Sequence, residues 1–312
     1  MRGARSRACT PIFSLVTLSQ PSTLSALEAA LIHHRIPKQL VRLVKLLYSN
    51  QRAILRAEPD EPSVTYHPVT RVRQGCSLAP LLFTIVIDML AWHLEAVSTT
   101  DGNVGIPLPL VDGYSIPNLL ILLYADDFVL FGNDEASLQK LVNATADWST
   151  HWGFQLSHTK SKVMCVPPRD GGCRPPPNVT VGGSPVEVVN VFKYLGFNIS
   201  DDLSMIKETN TRLQLFSAAH SSLDALYKSN TWPITCRLLA YTSLAESVGF
   251  YGTTAWLTTF SSFKKFMSLT ASHLRILLSL QKVPTLTIAC LELRLQHPWA
   301  LEKFVQGKWL FQ

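Results

Sequence analysis

Residues 121 to 132 read Ile-Leu-Leu-Tyr-Ala-Asp-Asp-Phe-Val-Leu-Phe-Gly, and Asp126 and Asp127 interrupt an otherwise apolar run. Ionised carboxylates are costly to bury unless paired or metal-bound, and adjacent like charges raise that cost. The simplest arrangement is a hairpin with the two carboxylates at its tip. Leu122, Leu123 and Tyr124 make one strand, and Phe128, Val129, Leu130 and Phe131 the other, all residues suited to strands. Hard oxygen ligands of this kind suit Mg²⁺, which takes one or two protein carboxylates and completes its shell with water and phosphates. A turn whose Asp side chains bond their own backbone is the competing reading of a bare Asp-Asp pair.

At 312 residues and 47% hydrophobic, the chain has material for a substantial core and two domains. Its net charge of +6 is modest, so the distribution of charge matters more than the total. Residues 1 to 57 hold nine Lys or Arg against one acid, Glu28. Arg35, Lys38, Arg42 and Lys45 recur at helical spacing, with Ile36, Leu40, Leu43, Val44 and Leu47 on the opposite face. No acid alternates with these cations, so a nucleic-acid backbone would relieve their repulsion; a solvated face is the alternative. The six cysteines lack Cys-x-x-Cys spacing and clustered histidines, which argues against a zinc site and for reduced thiols in the cytoplasm or nucleus. A weak signal-like pattern over Arg2 to Leu18 is set aside. The apolar stretches Leu81 to Leu94 and Leu119 to Phe131 are interrupted by acids and read as too short to span a membrane.

The spacing predicts a helix over Leu24 to Ser49, strands at Ala53 to Ala57 and Val64 to Val69, and a helix from Leu81 to Ala96 with Pro80 in its first turn. Asp88 falls on that helix and reads as part of a polar face. Asp134 or Ser137 caps a helix running to Trp148, with Leu138, Leu141, Val142 and Thr145 as its packing stripe. Val179 to Val189 reads as a hairpin, and helical periodicity dominates from Met205 onward.

Tyr124-Ala125-Asp126-Asp127 resembles the palm hairpin of the reverse transcriptases of non-LTR (LINE-like) retrotransposons, and four further blocks follow that family's order. Arg73-Gln74-Gly75, continuing to Phe83, resembles the block beside template and incoming nucleotide. Trp152 to Leu156 with Lys160 and Lys162 resembles the downstream palm block, and Lys160 would then lie near phosphate. Phe192-Lys193-Tyr194-Leu195-Gly196 resembles the primer-grip hairpin, and Tyr241 to Trp256 the thumb helix. The resemblance implies an α+β fold, a right-hand polymerase palm remnant followed by a mostly helical thumb. It also implies RNA-directed DNA polymerisation, with Asp126 and Asp127 binding Mg²⁺ or Mn²⁺ and with RNA template, DNA primer and dNTP as partners.

Three segments are expected: residues 1–23 of non-family sequence, a partial palm over 24–200 without fingers, and a thumb over 201–312. The family's helix aligned on Leu27 to Leu31 places its first catalytic aspartate near Ser14, yet no Asp precedes Asp60. Two metal ions carry more charge than two aspartates can hold, so a truncated and inactive chain is expected. No block resembles an endonuclease or a Cys/His knuckle. The alternatives are a non-catalytic nucleic-acid-binding remnant, and a misfolded product with an uncovered sheet edge.

Overall fold

The computed structural model describes residues 12–19, 24–49, 53–55, 64–66, 76–101, 104–108, 116–167, 176–229, 231–253, 260–279, 290, 293 and 295. The 121–132 stretch forms the expected hairpin, β4 (Ile121–Tyr124) and β5 (Asp127–Gly132), here numbered in the chain order set out below. The pair Tyr124 and Asp127 closes a two-residue turn of Ala125 and Asp126. Asp127 is therefore the first residue of its strand, and Asp126 alone occupies the turn. Contacts divide the chain into two units, 1–190 and 191–312. The primer-grip-like hairpin accordingly packs with the second unit, ten residues before the boundary read from sequence.

In the first unit, β1 (Ile12–Ser19) is followed by α1 (Leu24–His33) and α2 (Lys38–Ser49), then by the short pair β2 (Ala53–Leu55) and β3 (Val64–Tyr66). Next come α3 (Ala79–Asp101), β4, β5, α4 (Glu135–Trp152), β6 (Gln155–Leu156) and β7 (Lys162–Cys165). The unit ends with the small hairpin β8 (Thr180–Val181) and β9 (Ser184–Pro185), and β10 (Glu187–Val188). One six-stranded sheet runs β10-β7-β1-β5-β4, with β6 paired to the end of β1. All its pairings are antiparallel except that of β10 with β7. The segment expected to be foreign thus supplies a central strand and covers the edge of β5.

The single helix expected over Leu24 to Ser49 is two helices. Arg35 takes φ 55°, Ile36 N–H donates to Leu31 O and Arg35 N–H to Ile32 O, which is a helix-ending pattern normally built on glycine. Pro37 follows, and its ring disfavours helical backbone at Ile36. Helix α3 is longer than expected because it continues through Val97–Asp101. Among the described residues it alone is long and apolar enough to cross a membrane, over Ala79–Thr100, contrary to the length limit read from sequence. Its Leu82, Val86, Ile87, Leu90 and Leu94 lie in the core with Leu27 and Leu31 of α1, Phe128 and Leu130 of β5, and Leu138 and Leu141 of α4. Burying each such side chain contributes roughly 1.5–3 kcal/mol over leaving it exposed.

Helix α4 follows the sequence reading closely. The Asp134 carboxylate accepts from Ser137 N–H at 2.7 Å, Leu138, Leu141, Val142 and Thr145 are all buried, and Gly153 ends the helix at φ 77°. Gly132 is where β5 meets this helix. A Cβ there would lie 2.7 Å from Leu138 N and 2.9 Å from Leu138 Cα, so the close approach needs glycine.

In the second unit, the hairpin β11 (Val191–Tyr194) and β12 (Phe197–Ser200) precedes α5 (Ile206–Ser221), α6 (Asp224–Lys228) and α7 (Ile234–Ala240). Helix α7 continues through one wide turn, Tyr241–Glu246, into α8 (Ser247–Gly249), and α9 (Phe260–Leu277) follows. A separate core forms here around Phe216, Tyr227, Tyr241, Phe266, Leu274 and Leu277.

Candidate metal centre and nucleic-acid elements

The β4–β5 turn exposes its chemistry. Tyr124 and Asp126 are exposed and Asp127 is half-buried, whereas Phe128 and Leu130 just behind them are fully buried. Ala125 sits at φ 52°, a left-handed conformation that costs a residue with a Cβ roughly 1–2 kcal/mol. Such strain persists only where surrounding structure over-determines it. The two carboxylates are hard oxygen donors on adjacent residues and suit one divalent ion whose remaining ligands are water or phosphate. Among the described residues no group of three His, Cys, Asp or Glu side chains gathers around a metal position.

The register of β1 adds what stands beside them. Thr17 pairs with Asp127 on one side of β1, and Ser14 pairs with Leu130. On the other side Leu18 pairs with Leu156 and Leu15 with Lys162, so the turn carrying Lys160 stands level with Val16 and Thr17. Ser161 holds that turn, its hydroxyl donating to Ser157 O at 2.7 Å, and Lys160 is exposed. Asp127, Thr17 and the Lys160 turn therefore lie at one level of the sheet, spanning about 10 Å across two strand spacings. Lys162 differs, because it is tied to Glu187. Arg73, Gln74 and Gly75 lie outside the described residues.

The four cations of the N-terminal stretch do not share one face. Arg35 is in the interhelical turn, Lys38 and Arg42 are exposed on α2, and Lys45 pairs with Glu28 at 2.6 Å. An acid seventeen residues away does what no neighbouring residue in the helix could. The apolar face is also only partly used: Val41 and Val44 are buried, while Leu40, Leu43 and Leu47 are about half exposed. Asp88 accepts from Trp92 Nε1 at 3.1 Å and lies 3.5 Å from His34 Nε2, a local surface network.

Phe192, Lys193 and Tyr194 lie on β11, and Leu195 and Gly196 form its turn, with φ of 49° and 77°. Positive φ at both central residues matches the right-handed twist of a hairpin. The partners of this turn were not read from the sequence. Glu208 and Arg212, four apart on α5, are buried there, and their spacing was the available signal. A second unread cluster holds His220 and His273, stacked at 3.9 Å between ring centroids, with Tyr227 and Tyr241 beside them.

A model of the family described as Reverse transcriptase (RNA-dependent DNA polymerase) matches residues 24–199. The RNA-directed DNA polymerase from mobile element jockey of Drosophila funebris is 23% identical over 205 residues, 64% of this chain and 20% of that protein. The Retrovirus-related Pol polyprotein from type-2 retrotransposable element R2DM of Drosophila melanogaster is 27% identical over 190 residues, 59% of this chain and 16% of that protein. The chain thus spans a fifth or less of the length of these curated relatives. The match begins at Leu24, after β1, and takes in the Asp126-Asp127 hairpin, the Lys160 turn and the Leu195–Gly196 turn. With more than half of its residues inside that match, and with these relatives, the chain belongs to the reverse transcriptase family, of the LINE-like kind.

Proposed function

We propose that the first unit is a polymerase palm and the second a thumb, and that the chain binds an RNA template, a DNA primer and an incoming dNTP. Divalent ions, Mg²⁺ or Mn²⁺, would be held by Asp126 and Asp127 and supply charge stabilisation for phosphoryl transfer. The observation that carries this reading is the level arrangement of Asp127, Thr17 and the Lys160 turn, with Asp126 exposed in the strained turn next to the half-buried Asp127. Lys160 there neutralises phosphate charge, Tyr124 flanks the tip, and Arg73, Gln74 and Gly75 contact the nascent pair. Phe192, Lys193, Tyr194, Leu195 and Gly196 hold the primer end. Arg35, Lys38 and Arg42 add sequence-independent contacts to phosphates. The thiols of Cys76, Cys165, Cys236 and Cys290 support a reducing, intracellular setting, and the buried stripe of α3 supports a core helix in preference to a membrane span.

Polymerase activity in this chain is weak or lost, which favours a nucleic-acid-binding role. The specific reason is that β1, Ile-Phe-Ser-Leu-Val-Thr-Leu-Ser, offers no carboxylate opposite Asp127. Primer extension by the purified chain in Mg²⁺ or Mn²⁺, beside a salt titration of RNA binding, tests both halves. The expected result is salt-dependent binding with little extension. Robust extension overturns the loss of activity, and binding insensitive to salt overturns the nucleic-acid role.

A further inference from the structure

The Leu195–Gly196 turn is held at both of its carbonyls by side chains of its own unit. Tyr251 Oη donates to Leu195 O at 2.7 Å, and Arg212 Nη2 donates to Gly196 O. Arg212 Nε donates to Glu208 Oε1 at 2.5 Å, and Glu208 Oε2 accepts from both the backbone N–H and the side-chain amide of Asn198, each at 2.8 Å. The Arg212 guanidinium also lies 4.7 Å from the centre of the Tyr251 ring. Both carbonyls of the turn and the strand residue Asn198 beyond it are thus fixed by one connected set of side chains.

Stability alone does not account for this set. Glu208 is fully buried and Arg212 is 6% exposed, and a buried ion pair costs about as much in desolvation as it returns in attraction. Leu195 at φ 49° adds strain that a glycine would remove. A hairpin turn in water satisfies its carbonyls without help. The arrangement instead specifies one conformation of a turn that the backbone by itself disfavours.

We propose that Glu208, Arg212 and Tyr251 form a clamp that sets the Leu195–Gly196 turn, and thereby the place where this hairpin receives the 3′ end of a nucleic-acid primer strand. The inference rests on the reading of the hairpin as the primer-holding element. Glu208 and Arg212 are positioning residues acting through the turn carbonyls, with Tyr251 as the link between turn and guanidinium.

The test compares the affinity of the full chain for two fluorescent RNA–DNA hybrids, one with a recessed DNA 3′ end and one blunt. The wild type prefers the recessed hybrid. Tyr251→Phe, which keeps the ring and removes the donor, and Arg212→Lys, which keeps the charge and removes the fork, each lower that preference roughly threefold to tenfold, as expected for one lost hydrogen bond. Amide exchange at residues 195–198 rises in the same variants, while the melting temperature of Tyr251→Phe moves little. If the wild type shows no preference, the primer reading fails and takes the clamp with it. If the wild type discriminates and both variants discriminate equally well, or lose affinity for both hybrids alike, the clamp is structural only and the proposal is overturned while the primer reading stands.

Discussion

Thr17 stands directly opposite Asp127 in the antiparallel pairing of β1 with β5. Directly paired residues on adjacent antiparallel strands have Cα atoms about 4.5–5.5 Å apart, whereas Ser14, opposite Leu130, is displaced by three residues or about 10 Å along the strand. Spacing counted back from α1 therefore identifies a different position from the one that the sheet brings next to the carboxylates. Pairing register, set by β1 against both β5 and β7, decides which residue of this strand a metal ion at the tip would meet.

Thr17→Asp should accordingly build a third ligand where Ser14→Asp does not. In metal-free buffer Thr17→Asp melts below the parent because three carboxylates repel, and Mn²⁺ raises its melting temperature more than that of the parent. A tenfold gain in affinity corresponds to about 1.4 kcal/mol at saturating metal. Ser14→Asp loses stability without the metal response. Equal Mn²⁺ shifts in the two variants would show that the register does not define the site.

Asp126→Asn separates electrostatic cost from metal binding. Removing one of two adjacent charges raises the melting temperature without metal, and removes most of the Mn²⁺ shift. A parent and variant that both ignore Mn²⁺ from micromolar to millimolar would mean that this tip holds no ion.

The basic positions of α2 give different outcomes. Charge reversal at Lys38 and Arg42 weakens RNA binding and reduces the slope of log affinity against log salt by roughly 0.7–0.9 for each phosphate no longer neutralised. Lys45→Glu instead lowers stability, by on the order of 1 kcal/mol or less, because it breaks the half-exposed pair with Glu28 and adds repulsion. A salt slope unchanged after both Lys38 and Arg42 are reversed would mark these residues as merely solvated.

The hairpin, helix α4 with its Asp134 cap, and Pro80 in the first turn of α3 were legible because each depends on local chemistry. Strand-forming runs, a capping side chain and a ring-fixed φ act within a few residues. The break near Arg35 was signalled by Pro37 and passed over, whereas the left-handed turn at Arg35 itself had no signal, because that conformation is ordinarily given to glycine. The Lys45–Glu28 pair, the insertion of β1 between β5 and β7, and the hold of Arg212 on Gly196 join residues distant in sequence. No period or spacing reports them. For the same reason the family blocks identified the candidate carboxylates, while only the sheet shows what lies beside them.

Gly132→Ala should be more damaging than an ordinary glycine substitution in a strand. Its Cβ meets the backbone of Leu138, which cannot move without shifting α4 from the sheet. A loss of roughly 1–3 kcal/mol in urea unfolding is expected, the usual cost of overpacking. A variant as stable as the parent would mean that α4 is free to slide on β5.

The second unit should be pH-sensitive in a manner set by two buried histidines and the half-buried Glu246. Burial pushes His220 and His273 below the ordinary histidine range, His273 to about 3, with His220 beside it adding to the effect. Burial raises Glu246 to about 7. Asp224, Tyr227, Tyr241 and Cys290 are the other titratable groups around them. Below pH 6.5 the unfolded chain takes up protons at both histidines and the folded chain does so only at lower pH, so stability falls as pH falls, for His273 by up to about 1.4 kcal/mol per pH unit down to about pH 3. Glu246 acts oppositely between 4.5 and about 7, where the folded state alone keeps its proton, and stability falls as pH rises. Between pH 4.5 and 6.5 Glu246 offsets the contribution of His273, and the lowered His220 leaves a shallow rise of stability with pH. Glu246→Gln should stabilise the chain above pH 7, leave it nearly unchanged near pH 4, and steepen the rise between 4.5 and 6.5. His273→Phe should flatten that rise. Melting temperatures of parent and variants from pH 4 to 8 check these signs, and a Glu246→Gln gain that is the same at every pH would show that ionisation of this acid is not involved.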